Sequence, residues 1–393
     1  MVAGAGRARG GRSSNLFEAR AMKDRLLRFA KDVALGLAVA SFVTLLMAGV
    51  AEIALRFLPV RSDMLPEPVN AAQPIFRFAP DRDYVYSLGG DFSNANRGRV
   101  NKAGFVNDLE YAEDDPRPLL AVVGDSFVEA LMVPYAETIQ GRLQSRYPDG
   151  RVYSFGASGA PLSQYLIWAE FAARRYKADG LVVVVVGNDF AESLASFGVK
   201  PGMAQYRVDQ NGALALARAD YAPKLAKRAW AARSALIRYL LLNLQVMDRL
   251  AALRRLGEPQ EFAGFAPALL PESVVRDSLA AIDAFLADLP MRTGLPPDRI
   301  AFVVDGFRDP EAARIQADTY FAAMRRNFMA RAAAAGFLAI DTDVSFFEAF
   351  ARKPQRFDLD SDGHWSGKGH EIAANALIES GFPSRVLTSP QLR

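Results

Sequence analysis

Apolar residues fall along this chain in runs of three kinds, and each kind predicts a different element. The longest is Val33–Ala51, nineteen residues without a charge between Asp32 and Glu52, with apolar character resuming from Ile53 to Leu58. At roughly 1.5 Å per residue such a run crosses a hydrocarbon core about 30 Å thick. It has no polar face, so it reads as a transmembrane helix over 32–58 and not as the buried helix of a soluble core. Short apolar runs at Leu119–Val123, Leu181–Val186 and Ile300–Val304, and weaker ones at Val152–Phe155 and Phe337–Ile340, read as strands covered on both faces. Helical spacing marks the stretches between them: Ala136–Tyr147, Ser163–Lys177, Ala312–Ala335 and Gly369–Ser380.

Strands alternating with helices predict an α/β domain over 119–385, built on a doubly wound parallel sheet. The alternation breaks over about 190–295, where Lys224–Leu256 and Glu272–Leu289 have helical spacing; a helical insertion after the third strand is expected there. Within Lys224–Leu256, Leu236, Tyr239, Leu240, Leu244, Met247, Leu250 and Leu253 form an apolar stripe that needs a cover. The domain core, a cap over a groove, or a membrane surface beside Lys224, Lys227, Arg228 and Arg233 would each supply one. Residues 59–118, punctuated by Pro59, Pro66, Pro68, Pro74, Pro80 and the Gly89-Gly90 pair, are expected to form an irregular stalk and lead-in.

Composition removes several function classes. The chain has no cysteine, which excludes a disulfide framework, a thiolate metal site and a cysteine nucleophile. Of 47 basic and 44 acidic side chains, eight basic and two acidic fall in residues 1–31, leaving 39 and 42 for the rest. The net positive charge therefore belongs to a Gly/Arg/Ser-rich tail, expected to be disordered, and a nucleic-acid-binding body is not supported. A basic cluster preceding the apolar segment places the N-terminus in the cytoplasm and residues after about 60 outside it. A cleaved signal peptide competes with this anchor, since Gly49-Val50-Ala51 is a small-residue site, although the apolar stretch is long for that role.

In open parallel sheets, sites form beyond the carboxyl ends of the strands. After the first run comes Gly124-Asp125-Ser126-Phe127: a serine at a strand-to-helix turn presents its hydroxyl for acyl transfer, or merely caps the helix. After the second run, Ser154-Phe155-Gly156-Ala157-Ser158-Gly159 offers a glycine where substrate could approach the backbone, or a tight turn. After the third, Gly187-Asn188-Asp189 offers a side-chain amide for a developing oxyanion, or a turn residue. Only two histidines exist, His364 and His370, so a serine activated by imidazole must use one of them. Asp362 precedes His364 by two residues, and in an extended segment both face one side, so this carboxylate can orient the ring. His370 opens a helix and has no acid two or three residues before it; it reads as a packing residue.

These blocks, in this order, resemble the SGNH (GDSL-like) hydrolase and acyltransferase superfamily. Gly124-Asp125-Ser126 is similar to its serine block, Gly159 to its second-block glycine, Gly187-Asn188-Asp189 to its Gly-x-Asn-Asp type block, and Asp362-Gly363-His364 to its terminal block. Asn101-Lys102-Ala103-Gly104-Phe105 is similar to a segment preceding the serine in membrane-anchored bacterial relatives. Departures are the acid two rather than three residues before the histidine, a spacing shared with related acyl-handling members, and Ser154 where the second block carries Asn. The resemblance implies a flavodoxin-like sheet and a triad of Ser126, Asp362 and His364. It further implies an oxyanion hole from the Ser126 and Gly159 amides and the Asn188 side chain, and no metal or organic cofactor. It implies ester hydrolysis outside the cytoplasm on an acylated small molecule or an envelope or secreted polysaccharide, O-acyl transfer to such a polysaccharide being the alternative with the same residues. A non-catalytic binding or assembly protein is the third reading, for which a missing triad member would be the sign.

Overall fold

The computed structural model describes residues 11–210, 213–223, 231–254, 261–360 and 363–388. The chain divides into two compact units, one holding residues up to Leu58 together with Ser234–Leu236, the other holding the rest.

In the first unit a single helix runs from Gly11 to Leu55, 45 residues. Its Met22–Leu55 part is long and apolar enough to cross a membrane. The tail expected to be disordered is thus helical from Gly11; residues 1–10 lie outside the described residues. At the far end Glu52 is satisfied locally, accepting the Arg56 guanidinium at 2.9 Å, the Ser234 hydroxyl at 2.8 Å and the Leu236 amide at 2.8 Å.

The second unit is organised by a five-stranded parallel sheet. Its strands are β3 (Leu119–Gly124), β4 (Arg151–Gly156), β5 (Gly180–Val185), β10 (Ile300–Val304) and β11 (Leu338–Asp341), in the spatial order β11-β10-β5-β3-β4. Every residue of β3, β4, β5 and β10 is buried, as expected of strands covered on both faces. Alternate side chains serve two cores. Ala121, Val123, Phe155, Val183 and Phe302 face the helices Leu162–Tyr176, Glu272–Thr293 and Tyr320–Ala334. Leu120, Val122, Val152, Val184 and Val303 face Ile139–Arg146, Thr342–Arg352, Gly367–Glu379 and Phe382–Leu387. The order reverses between β3 and β5, so the crevice of a doubly wound sheet opens where these two strands end.

Three expectations are corrected. Residues 59–118 are no stalk: β1 (Arg82–Leu88) and β2 (Ser93–Val100) form an antiparallel hairpin. Val69, Phe76, Phe78, Tyr84, Tyr86 and Phe105 from this stretch join the same core as β3 and β5. The segment 190–295 is not simply a helical insertion. It begins with the hairpin β6 (Ala204–Val208) and β7 (Leu214–Arg218) and a short pair, β8 (Phe262–Ala263) with β9 (Ala266–Pro267). Its long helix Glu272–Thr293 buries Ile282, Phe285 and Leu289 and serves as the crossover cover between β5 and β10. Finally, the described part of Lys224–Leu256 is not one helix: Ala235–Arg238, a wide turn Tyr239–Asn243 and Val246–Arg254 are separated by left-handed Gln245. Asn243 is buried there; its side chain accepts the Arg61 amide at 3.0 Å and donates to the Ser87 hydroxyl at 2.8 Å, so the turn docks on the lead-in rather than on the sheet. Leu240, Met247 and Leu250 of the expected stripe stay exposed.

If the lead-in is part of the core, Phe105→Ala removes a fully buried ring packed against Phe155 and Trp168. A loss of about 3–5 kcal/mol is expected, read as a lowered thermal unfolding midpoint. A midpoint at the wild-type value would return residues 59–118 to the role of a stalk.

Candidate active site

β3 is apolar up to its last residue, and the chain then turns sharply into the helix Ser126–Glu129. Asp125 caps that helix, its carboxylate accepting the Phe127 amide at 3.0 Å. The cap is therefore Asp125 and not Ser126, which leaves the serine hydroxyl for other contacts. It lies 2.8 Å from Nε2 of His364, 238 residues further along the chain, and 3.2 Å from Asp125 Oδ2, which it can reach as donor. A hydroxyl has one proton to give; it goes to the imidazole when Nε2 carries none, and to Asp125 Oδ2 when Nε2–H donates to the serine.

His364 is held by its loop. The Leu359 amide donates to the His364 carbonyl at 2.8 Å and the Ser366 amide to the Phe357 carbonyl at 2.9 Å. Trp365, fully buried, donates its indole N–H to Asp305 Oδ1 at 2.9 Å, directly after β10. Arg308 joins Asp305 to Asp358 at the base of the loop. The imidazole packs in a three-ring cluster with Phe127 and Phe265, whose centroids are 5.0 and 4.9 Å away.

Asp362, expected to orient this ring, lies outside the described residues. The two other acids near it in sequence are engaged elsewhere, Asp358 with Arg308 and Asp360 with Arg356. His370 is buried; its Nδ1 accepts the Ile139 amide at 3.3 Å, and burial holds its imidazole down at about 3, so it stays neutral. That is the packing role read from the sequence.

The ends of β4 and β5 bring the other expected residues to the same edge of the sheet. Gly159 has φ +73°, a conformation other residues rarely adopt, and its carbonyl accepts Lys200 Nζ at 2.8 Å. Ser158 beside it donates its amide to Glu129 Oε2 at 2.9 Å and its hydroxyl to the same oxygen. Asn188 donates its side-chain amide to Glu192 Oε2 at 2.8 Å. Asp189 organises the turn, accepting the Val186 amide at 2.8 Å and the Tyr165 hydroxyl at 2.7 Å.

Glu129, Lys200, Glu192 and Phe265 escape a reading of the sequence. Glu129 gives the faintest signal, an acid on the apolar side of the first turn after the serine. Phe265 arrives on the tip between β8 and β9, and that tip sits so close to the Asn188 turn that a Cβ on Gly187 would lie 2.2 Å from the Gly264 carbonyl. Beside His364 opens a cavity of about 930 Å³, bounded by Phe262, Phe265, Arg308, Phe350, Phe357 and Gly363. Among the described residues no group of three or more His, Cys, Asp or Glu is placed to hold a metal ion.

Burial pushes the Asp125 carboxyl up to about 6, against the pull of the Phe127 amide and His364, and the Glu129 carboxyl up to about 7, against the pull of Ser158. A raised carboxyl binds its proton more tightly in the folded chain than in the unfolded one. Its contribution to stability is full below the ordinary value of 4.5 for Glu129 and is lost as pH rises through about 7. Thermal unfolding followed from pH 4.5 to 7 should therefore decline less steeply in Glu129→Gln than in wild type. Equal slopes would show that Glu129 does not titrate in this window.

Neither a family model nor a curated protein sequence matches the chain. Among solved structures the chain is similar to a member of the lipolytic protein G-D-S-L family from Veillonella parvula, with 12% identity and a TM-score of 0.35, covering 66% of this chain and 96% of that one. It is similar to an acetyl xylan esterase from Geobacillus stearothermophilus, with 16% identity and a TM-score of 0.35, covering 67% and 93%. It is also similar to a carbohydrate esterase family 2 enzyme from Corynascus thermopiles, with 11% identity and a TM-score of 0.36, covering 75% and 73%.

Proposed function

We propose that this protein is a serine-dependent acyl-ester hydrolase, anchored in a membrane by its N-terminal helix, that acts outside the cytoplasm on an acylated envelope or secreted polysaccharide. The observation that carries the chemistry is the 2.8 Å contact between Ser126 Oγ and His364 Nε2 at the carboxyl edge of the sheet. Ser126 Oγ attacks the ester carbonyl carbon as its proton passes to Nε2. The tetrahedral oxyanion is met by the amides of Ser126 and Gly159 and the side chain of Asn188. His364 then gives the proton to the departing alkoxide, leaving an acyl-serine. Water repeats the sequence: it loses a proton to Nε2 and attacks the acyl carbon, and as the acyl–Oγ bond breaks Nε2 returns that proton to Ser126 Oγ, releasing the acid and the free serine. Asp362 holds the ring as the tautomer with its proton on Nδ1 and steadies the imidazolium. The aromatic and polar walls of the neighbouring cavity are suited to the sugar part of such a substrate.

The test is labelling by a fluorophosphonate together with release of acetate from an acetylated glycan. Ser126→Ala and His364→Ala should each lower turnover by about 10⁶-fold, and Ser126→Ala should abolish labelling. His370→Ala should keep most of the activity if it folds, and Asp362→Asn should lose about 10⁴-fold in kcat while retaining a residue of turnover. Equal losses in folded His364→Ala and His370→Ala would overturn the assignment. Acyl groups appearing on an added glycan instead of as free acid would replace hydrolysis by transfer.

The anchor is tested separately, by a reporter fused after residue 60. Activity only on the non-cytoplasmic side, with the protein retained in membranes after a carbonate wash, is expected. A soluble mature chain beginning near Glu52 would mean that the helix is a cleaved signal.

A further inference from the structure

Two of the oxyanion donors proposed above come from different strand ends, and one ion pair ties them together. Lys200 Nζ donates to the Gly159 carbonyl at 2.8 Å and lies 3.0 Å from Glu192 Oε2. The same Glu192 oxygen accepts the Asn188 side-chain amide at 2.8 Å. Lys200 is itself fixed by buried Gln205, which accepts the Lys200 amide at 2.7 Å and donates to the carbonyls of Glu192 and Gly198 at 2.8 Å each. Gln205 belongs to β6, so the clamp is supplied by the segment inserted after β5.

We propose that Lys200 is a positioning residue for the oxyanion hole, holding the Asn188 amide through Glu192 and restraining the backbone at Gly159 through its carbonyl, in the geometry that receives the tetrahedral intermediate; this rests on the serine-hydrolase reading above. Three physical effects combine. A carboxamide nitrogen has two N–H donors, and giving one to Glu192 fixes the direction of the other. Holding the carbonyl of Gly159 fixes the peptide plane that follows this residue, and so restrains rotation about ψ at a left-handed glycine next to the N–H it donates. Glu192 alone would also set a negative charge beside a developing oxyanion. The ammonium of Lys200 neutralises it at 3.0 Å. Preorganised donors act in the transition state and not on the bound ester, so the clamp should appear in kcat and leave KM alone.

The experiment measures kcat and KM on a small activated acetate ester, with the full-length protein in detergent. Lys200→Met should lower kcat about 10-fold, less than the 10²–10³ lost on deleting a donor, with KM changed by less than about 2-fold and Lys200→Arg restoring most of the rate. In the double variant Asn188→Ala/Lys200→Met the loss should fall short of the product of the two single losses, because the residues act as a unit. Should Lys200→Met not accumulate as folded protein, Lys200→Gln, which lacks the charge, carries the same expectation. Wild-type kcat in a folded Lys200 variant, or single losses that multiply fully, would overturn the proposal. If wild-type protein shows no Ser126-dependent turnover or labelling, the hydrolase reading fails first and the clamp falls with it.

Discussion

A sheet covered on both faces leaves only its ends for polar chemistry. In β3, β4, β5 and β10 every residue is buried, and a buried polar group without a partner is costly, so β3, β5 and β10 hold only Val, Leu, Ile, Ala, Phe and Gly, and the polar side chains of β4, Arg151, Tyr153 and Ser154, are all hydrogen-bonded. Because the strands are parallel, their carboxyl ends share one edge, and the first residues free to be polar after each apolar run meet there. Asp125 and Ser126 follow β3, Gly159 follows β4, Asn188 follows β5, and Asp305 follows β10. His364 is not on this edge by its own strand. It is tied to it by the indole of Trp365, which bonds the carboxylate of Asp305. A contact between residues 238 apart is thereby held from the far strand of the crevice.

The same burial makes acids expensive beside Ser126, and yet Asp125, Glu129 and Asp189 are all there. Each has a local task that explains its presence: Asp125 caps the helix Ser126–Glu129, Glu129 holds the Ser158 peptide, and Asp189 closes the turn after β5. Burial pushes all three carboxyls up, the effect that lets part of this charge be held as neutral acid. Their hydrogen bonds from backbone amides work in the opposite direction. The balance leaves the Ser126 hydroxyl surrounded by groups whose first role is to shape turns.

How much of this was legible in the sequence follows from the physics of each element. Buried strands announce themselves as unbroken apolar runs, and two histidines in the whole chain made the base a choice between two positions, so the sheet and the Ser126–His364 pairing could be read. The lead-in could not. Its anchors Phe76, Phe78, Tyr84 and Phe105 are spread among prolines and charges, and β2, with its run Ser93-Asn94-Ala95-Asn96, has no apolar periodicity to follow. The helix expected over Ala312–Ala335 breaks between Ile315 and Tyr320 because Thr319 caps a new helix, its hydroxyl accepting the Ala322 amide. Lone polar residues such as Glu129 and Lys200 carry no pattern at all; only the distances between loops give them meaning.

The segment between β5 and the crossover helix therefore contributes more than a cover. Its first hairpin carries Gln205, which fixes the loop bearing Lys200, and its last one carries Phe265 to the face of the imidazole. Both are short, tightly bonded pairs of strands, not free loops, and the second is pressed against Gly187, where even a methyl group would collide with the Gly264 carbonyl. A wall seated in this way is positioned by the same turn that presents Asn188. The residues that bound the cavity beside His364 and the residue proposed to receive the oxyanion thus share one mechanical support, and a change in the length or sequence of the 262–267 hairpin would be felt at Asn188 as well as in the cavity. In a scaffold whose strands can vary little, variation in the segment that follows β5 acts on the cavity wall and on the Asn188 turn together.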